Sequence, residues 1–184
     1  MIPEWTIATL TSMMLWINSL TGIPMPESPP EIVYTEAREM KYMLYGCNSK
    51  THPRASQICK ELKETGEITN DNTSTIGLYD HDRKVIHLNP IIRTYDKVVR
   101  DSVIIHELVH HMQFSADIPY QCFGQLEETA YDIQDRYIKS KGRKDIFTEL
   151  DISPLYLFII FSCGRDDIFS VPEEYENDEL PKNN

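Results

Sequence analysis

Val103-Ile104-Ile105-His106-Glu107-Leu108-Val109-His110-His111-Met112-Gln113 is the stretch that decides how the rest of this 184-residue chain is read. Residues i and i+4 of a helix share a face, so His106 and His110 can converge on one metal ion, while Glu107 can point toward a water held there. The residue types suit that chemistry. Neutral imidazole nitrogens bind Zn²⁺, and a carboxylate beside a metal-held water can accept its proton. Val103, Ile104, Ile105, Leu108, Val109 and Met112 surround these polar residues with apolar side chains, the pattern of a helix buried inside a domain. Two histidines at a solvated helix edge would not need that surround. His111 turns about 100° away from His110, which makes it a poor further ligand and leaves it as a partly exposed side chain.

An open zinc site needs a third protein ligand and one free position. The next helix, expected over 125–139 after a turn through Asp117-Ile118-Pro119, offers Glu127 and Glu128. Glu127 lies 17 positions after His110, enough for an antiparallel return. It shares a helix face with Ala130, Tyr131 and Gln134, a surface suited to packing, whereas Glu128 shares one with Asp132 and Asp135. The phase favours Glu127 as the ligand.

Working outward, 75–79 and 84–88 read as a β-hairpin closed by Asp80-His81-Asp82-Arg83, and Ile32-Val33-Tyr34 as a further short strand. An amphipathic helix runs from Pro3 to Gly22. A second is capped by Thr35 and reaches about residue 45, with Ala37, Met40, Met43 and Leu44 on its buried face. A short helix is expected at 56–63, turns at 66–74, a cap for the motif helix at Asp96 or Asp101, and a very apolar helix over 154–161. The fold class is therefore α+β: a mainly helical single domain over 1–172, with a small antiparallel sheet or hairpin over the active-site helix. Residues 173–184 read as an acidic tail.

Composition limits the partners. With 18 Lys and Arg against 29 Asp and Glu, the net charge is -11, which disfavours a grip on nucleic-acid phosphate or an anionic membrane. No apolar run is long enough to span a bilayer, and the N-terminus lacks the basic start of a signal peptide. His52, His81 and His87 lie in a loop, a hairpin turn and a strand, and read as structural. Cys47, Cys59, Cys122 and Cys163 form no metal-type pair. They are either buried thiols or disulfides. A Cys122–Cys163 bond would staple the Glu127 helix to the terminal apolar helix and suit an extracytoplasmic or virion-associated life.

His106-Glu107-x-x-His110 followed by Glu127-x-x-Ala130 on the next helix resembles the gluzincin branch of zinc metallopeptidases, in a compact single-domain form and over about 75–134. The segments 106–113, Tyr120-x-Cys122 and 127–134 are also similar to small bacterial and phage proteins of unassigned function. The resemblance implies a zincin-like fold and one Zn²⁺ per chain on His106, His110 and Glu127, with Glu107 as general base. It also implies a short sheet that holds an extended peptide or protein substrate, here along Gly77-Leu78-Tyr79. A Tyr or His often steadies the oxyanion in such enzymes, and Tyr131, Tyr120 and His111 are the candidates. One departure stands out. Larger members carry an acid four positions after the glutamate ligand, where this chain has Tyr131, so another group must orient one histidine. The expected function is zinc-dependent peptide-bond hydrolysis. The alternative is a catalytically silent zincin-like binding or structural module, such as a phage component, in which the metal only clamps two helices.

Overall fold

The computed structural model describes residues 5–44 and 75–163, with residues 47, 59, 60 and 64 between them. Pro3, His52, most of the helix expected at 56–63, the turns at 66–74 and the tail at 173–184 lie outside the described residues. The elements run α1 (Ile7–Thr21), β1 (Glu31–Tyr34), α2 (Ala37–Leu44), β2 (Gly77–Asp80), β3 (Val85–Leu88), a 3-10 turn (Pro90–Thr94), α3 (Lys97–Ser115), α4 (Phe123–Ser140), α5 (Ile146–Glu149) and α6 (Pro154–Phe161). The molecule is α+β and mostly helical. Among the described residues no helix is long and apolar enough to cross a membrane.

α3 is the spine of the fold. Asp96 caps it, its Oδ1 accepting from the backbone N–H groups of Val98 and Val99, which satisfies donors that a helix start leaves unpaired. Every residue from Asp101 to Gln113 is buried, because α1, β2 and α4 all pack on this helix. Asp101, the other candidate cap, lies inside the helix instead. Its carboxylate accepts from the Trp5 indole at 2.9 Å, the Lys97 ammonium at 2.5 Å and the Tyr137 hydroxyl at 3.1 Å. Those donors join the N-terminal segment, α3 and α4, and they satisfy a charge that would otherwise be costly to bury.

The sheet corrects an expectation. Its order is β1-β3-β2, with β2 antiparallel to β3 but β1 parallel to it, in register from Glu31↔Val85 to Tyr34↔Leu88. The sheet is mixed and not antiparallel throughout. A three-residue apolar run signals a strand without signalling its direction, and the long connection between β1 and β2 permits a parallel return. Central β3 is covered on both faces, so Ile86, His87 and Leu88 are all buried. The His87 ring meets the Thr35 hydroxyl at 2.8 Å. Thr35 therefore bonds to the sheet and does not cap α2, which buries only Met40 while Ala37 and Leu44 are exposed.

α1 starts later than the sequence suggested, after Thr6, whose hydroxyl accepts from the Thr9 N–H. It ends at Gly22, whose φ of 73° is the left-handed conformation favoured at helix stops. α4 and α6 sit close at one end. Cys122 and Cys163 form a disulfide, and a Cβ on Gly124 would fall 2.6 Å from the Ile160 carbonyl oxygen. Cys47 and Cys59 form a second disulfide.

Candidate metal centre

Helical spacing distributes the polar residues of α3 onto different neighbours. His106 and His110, one turn apart, face α4. Glu107, about 100° round from His106, faces β2. His111 is also turned away from α4. It is buried, not partly exposed as expected, with its Nδ1 2.9 Å from the Tyr79 hydroxyl and its Nε2 2.9 Å from the Ser28 carbonyl. A carbonyl only accepts, so Nε2 donates to Ser28 and Nδ1 accepts from Tyr79. Burial pushes the His111 pKa down, consistent with a neutral ring, and carries the Tyr79 phenol up to about 12. Both nitrogens of His111 are thus engaged away from the other two histidines.

α4 brings Glu127 across to α3. Its Oε2 lies 3.3 Å from His106 Nε2 and its Oε1 3.4 Å from His110 Nε2, while the two Nε2 atoms are 3.2 Å apart. Glu128 is exposed on the far side, and Ala130 and Gln134 are buried on the Glu127 face. Burial alone would raise the Glu127 carboxyl, but the adjoining His110 and His106 hold it well below the usual carboxylate range. Burial likewise disfavours charge on His110, yet Glu127 raises its pKa to about 9. Without a metal, this arrangement binds a proton tightly.

Do these residues fit a metal ion? The Nδ1 atom of His110 lies 3.0 Å from Gln113 Oε1, and that of His106 lies 3.1 Å from Gln134 Oε1. Each imidazole donates from Nδ1 and turns Nε2 toward the carboxylate, where either a proton or a metal can lie. Zinc sits about 2.0 to 2.1 Å from nitrogen or oxygen ligands, so the edge of its coordination tetrahedron is about 3.3 to 3.4 Å. The two Nε2 atoms, 3.2 Å apart, lie close to that edge, and each is within 3.4 Å of one oxygen of Glu127, Oε2 for His106 and Oε1 for His110. Two ring nitrogens and a carboxylate held this close repel one another unless a cation or proton lies among them. The residues fit a divalent metal with one coordination position left for another group.

Glu107 is set apart from this trio. Burial is the largest influence on its carboxyl and raises its pKa. His106 and His110 oppose that, Glu127 adds to it, and a hydrogen bond from the Tyr79 backbone N–H opposes it. A Cβ on residue 77 would fall 2.5 Å from Glu107 Oε1 and 2.9 Å from Val103 Cγ1. Only a glycine lets β2 run this close to the carboxylate.

The other expected residues separate clearly. Tyr131 packs edge-on against His106, ring centroids 4.5 Å apart, and its phenol pKa is raised by burial and then by Glu127, Tyr156 and Glu107. Tyr120 is 48% exposed and packs on Phe114, without a ring contact to either histidine of the trio. Leu78 and Tyr79 flank the close approach of β2, with the Tyr79 side chain committed to His111. His81 stacks on Phe114. Three contributors escaped the sequence reading: Gln113, Gln134 and Phe123, whose ring stacks 6.0 Å from that of His110. The available signal was a pair of uncharged polar residues on otherwise apolar helix faces, three positions after His110 and seven after Glu127.

A family model described as a domain of unknown function, DUF6647, matches residues 53–170. The chain belongs to the DUF6647 family. All four polar residues of the centre, both glutamines and the Cys122–Cys163 disulfide lie within the DUF6647 match, whereas α1 and β1 precede it. No curated protein and no solved structure matches the chain.

Proposed function

We propose that this DUF6647 chain is a zincin-like, gluzincin-type zinc metallopeptidase. The observation that carries the reading is the convergence of donor atoms from His106, His110 and Glu127, with Glu107 buried beside them and not among them. A metal that only clamped helices would need no such carboxylate. Zn²⁺ bound by the trio would supply Lewis acidity, activating a water and polarising a peptide carbonyl. In the proposed reaction Glu107 takes the proton of the attacking water and returns it to the leaving amine nitrogen. Burial favours this role, since a carboxylate with a raised pKa is the stronger base.

The edge of β2 supports an extended substrate. Among the described residues β2 is one of the two edge strands, and Asn89 N–H donates to the Ile76 carbonyl. By alternation along an antiparallel pair, the backbone groups of Gly77 and Tyr79 then point away from β3. Tyr79 N–H is taken by Glu107, so a peptide strand would pair chiefly through Gly77. Tyr131 is the best-placed candidate to steady an oxyanion, given its contact with His106. The substrate class is a peptide or protein, and two disulfides suit an oxidising compartment. A mixed peptide library incubated with the zinc-loaded protein tests the reading. Cleavage that a chelator abolishes and zinc restores is expected. Full zinc loading without any cleavage would favour the silent zincin-like module.

A further inference from the structure

We propose that Gln113 and Gln134 are positioning residues that lock His110 and His106 in the tautomer required for metal binding, and so set how tightly the centre holds its ion. This rests on the metal reading above. In both cases the amide's orientation is dictated by its far end. Gln113 Nε2 lies 3.1 Å from the Leu126 carbonyl, which can only accept, so Gln113 Oε1 is the atom facing His110. Gln134 Nε2 lies 3.3 Å from Ser102 Oγ, and that hydroxyl donates its single proton to the Val99 carbonyl at 2.8 Å. Ser102 must accept, so Gln134 Oε1 faces His106. Each amide oxygen then requires a proton on Nδ1 of its histidine, which leaves Nε2 free.

Without these acceptors the rings have an alternative. A proton on Nε2 finds Glu127 within 3.3 to 3.4 Å, and a histidine in that tautomer presents a proton where the metal should bind. The glutamines also bridge α3 and α4. Gln113 anchors on the backbone one residue before Glu127, and Gln134 reaches from α4 to two side chains of α3. A neutral acceptor suits this place, because a carboxylate at both positions would add two charges to a buried centre that already holds Glu107 and Glu127.

The test uses the full chain and two ions. Zn²⁺ affinity is measured by competition with a chromophoric chelator, and Co²⁺ is titrated while its visible absorption reports coordination geometry. Gln113→Met and Gln134→Met keep nearly the same volume but offer only a weakly accepting thioether in place of the amide oxygen, and each should bind about 10- to 100-fold more weakly than wild type, with an altered Co²⁺ spectrum. Gln134→Glu should stay within a few-fold of wild type, because Ser102 can turn its proton to the new carboxylate oxygen. Should the methionine variants fail to fold, Gln134→Glu and Ser102→Ala carry the comparison, with affinity kept in the first and weakened several-fold in the second. Methionine variants that bind like wild type, or a Gln134→Glu variant as weak as Gln134→Met, would overturn the proposal. A wild type that binds neither ion would remove the metal reading itself, and this inference with it.

Discussion

Replacing Gly77 with alanine perturbs the closest approach of the sheet to the proposed base without touching a metal ligand. The added Cβ would sit 2.5 Å from Glu107 Oε1 and 2.9 Å from Val103 Cγ1, whereas carbon contacts are comfortable near 3.5 Å. Something must therefore yield by about 1 Å. Either β2 retreats, taking the substrate edge and the Tyr79 N–H with it, or the buried carboxylate swings away from its place. Overpacking of this kind typically costs about 1 to 3 kcal/mol of stability. A displacement of about 1 Å at a reacting group costs on the order of 10² in rate. Zinc per chain, melting temperature and kcat/KM on a peptide found by the library screen should be measured well below the melting point. Gly77→Ala is expected to bind zinc at the wild-type ratio, melt a few degrees lower and turn over about a hundredfold more slowly. Activity within twofold of wild type at full zinc loading would refute the reasoning, because it would mean that Glu107 does not work from its place against β2.

Glu127→Ala should lose metal while Glu128→Ala keeps it, as metal analysis after dialysis will show; the reverse would move the third ligand. Thiol titration of denatured, unreduced protein should find no free cysteine, and Cys122→Ser should lower the unfolding free energy by about 4 kcal/mol, the chain-entropy value for a loop of this length. Zinc uptake at pH 7 should release about one proton, since the His110 pKa in the metal-free centre is raised to about 9 and metal requires neutral imidazole. Calorimetry in buffers of different ionisation enthalpy measures that proton. The same raised pKa stabilises the metal-free fold fully below about pH 6.5 and is lost as pH rises through about 9. The chelated protein's melting temperature should therefore fall across that window while the zinc-loaded protein's does not.

His106, Glu107 and His110 were legible because their relation is local. Spacings of one and four residues on a helix fix which side chains share a face, whatever else the chain does, and the same phase argument separated Glu127 from exposed Glu128. What the sequence could not carry was set by partners distant along the chain. Thr35 reads as a helix cap until His87 arrives 2.8 Å away on the neighbouring strand. Asp101 reads as an equal rival to Asp96 until Trp5 and Tyr137 converge on it. His111 reads as partly exposed until the Ser28 carbonyl and the Tyr79 hydroxyl meet its two ring nitrogens. The glutamines were least visible of all, since an amide presents a donor or an acceptor according to which group lies across the helix interface. The direction of β1 was hidden for a different reason: an apolar run gives the same pattern in either direction.

The most direct test of the proposed chemistry compares wild type with Glu107→Gln, each assayed for zinc content and for hydrolysis of the peptide found by the library screen. Glutamine keeps the size and hydrogen bonding of the side chain but cannot act as a base. Zinc should remain at one per chain in both proteins, with hydrolysis reduced by about 10² to 10⁴ in the variant. Equal hydrolysis by the two proteins at equal zinc would contradict the assignment of Glu107 as the base.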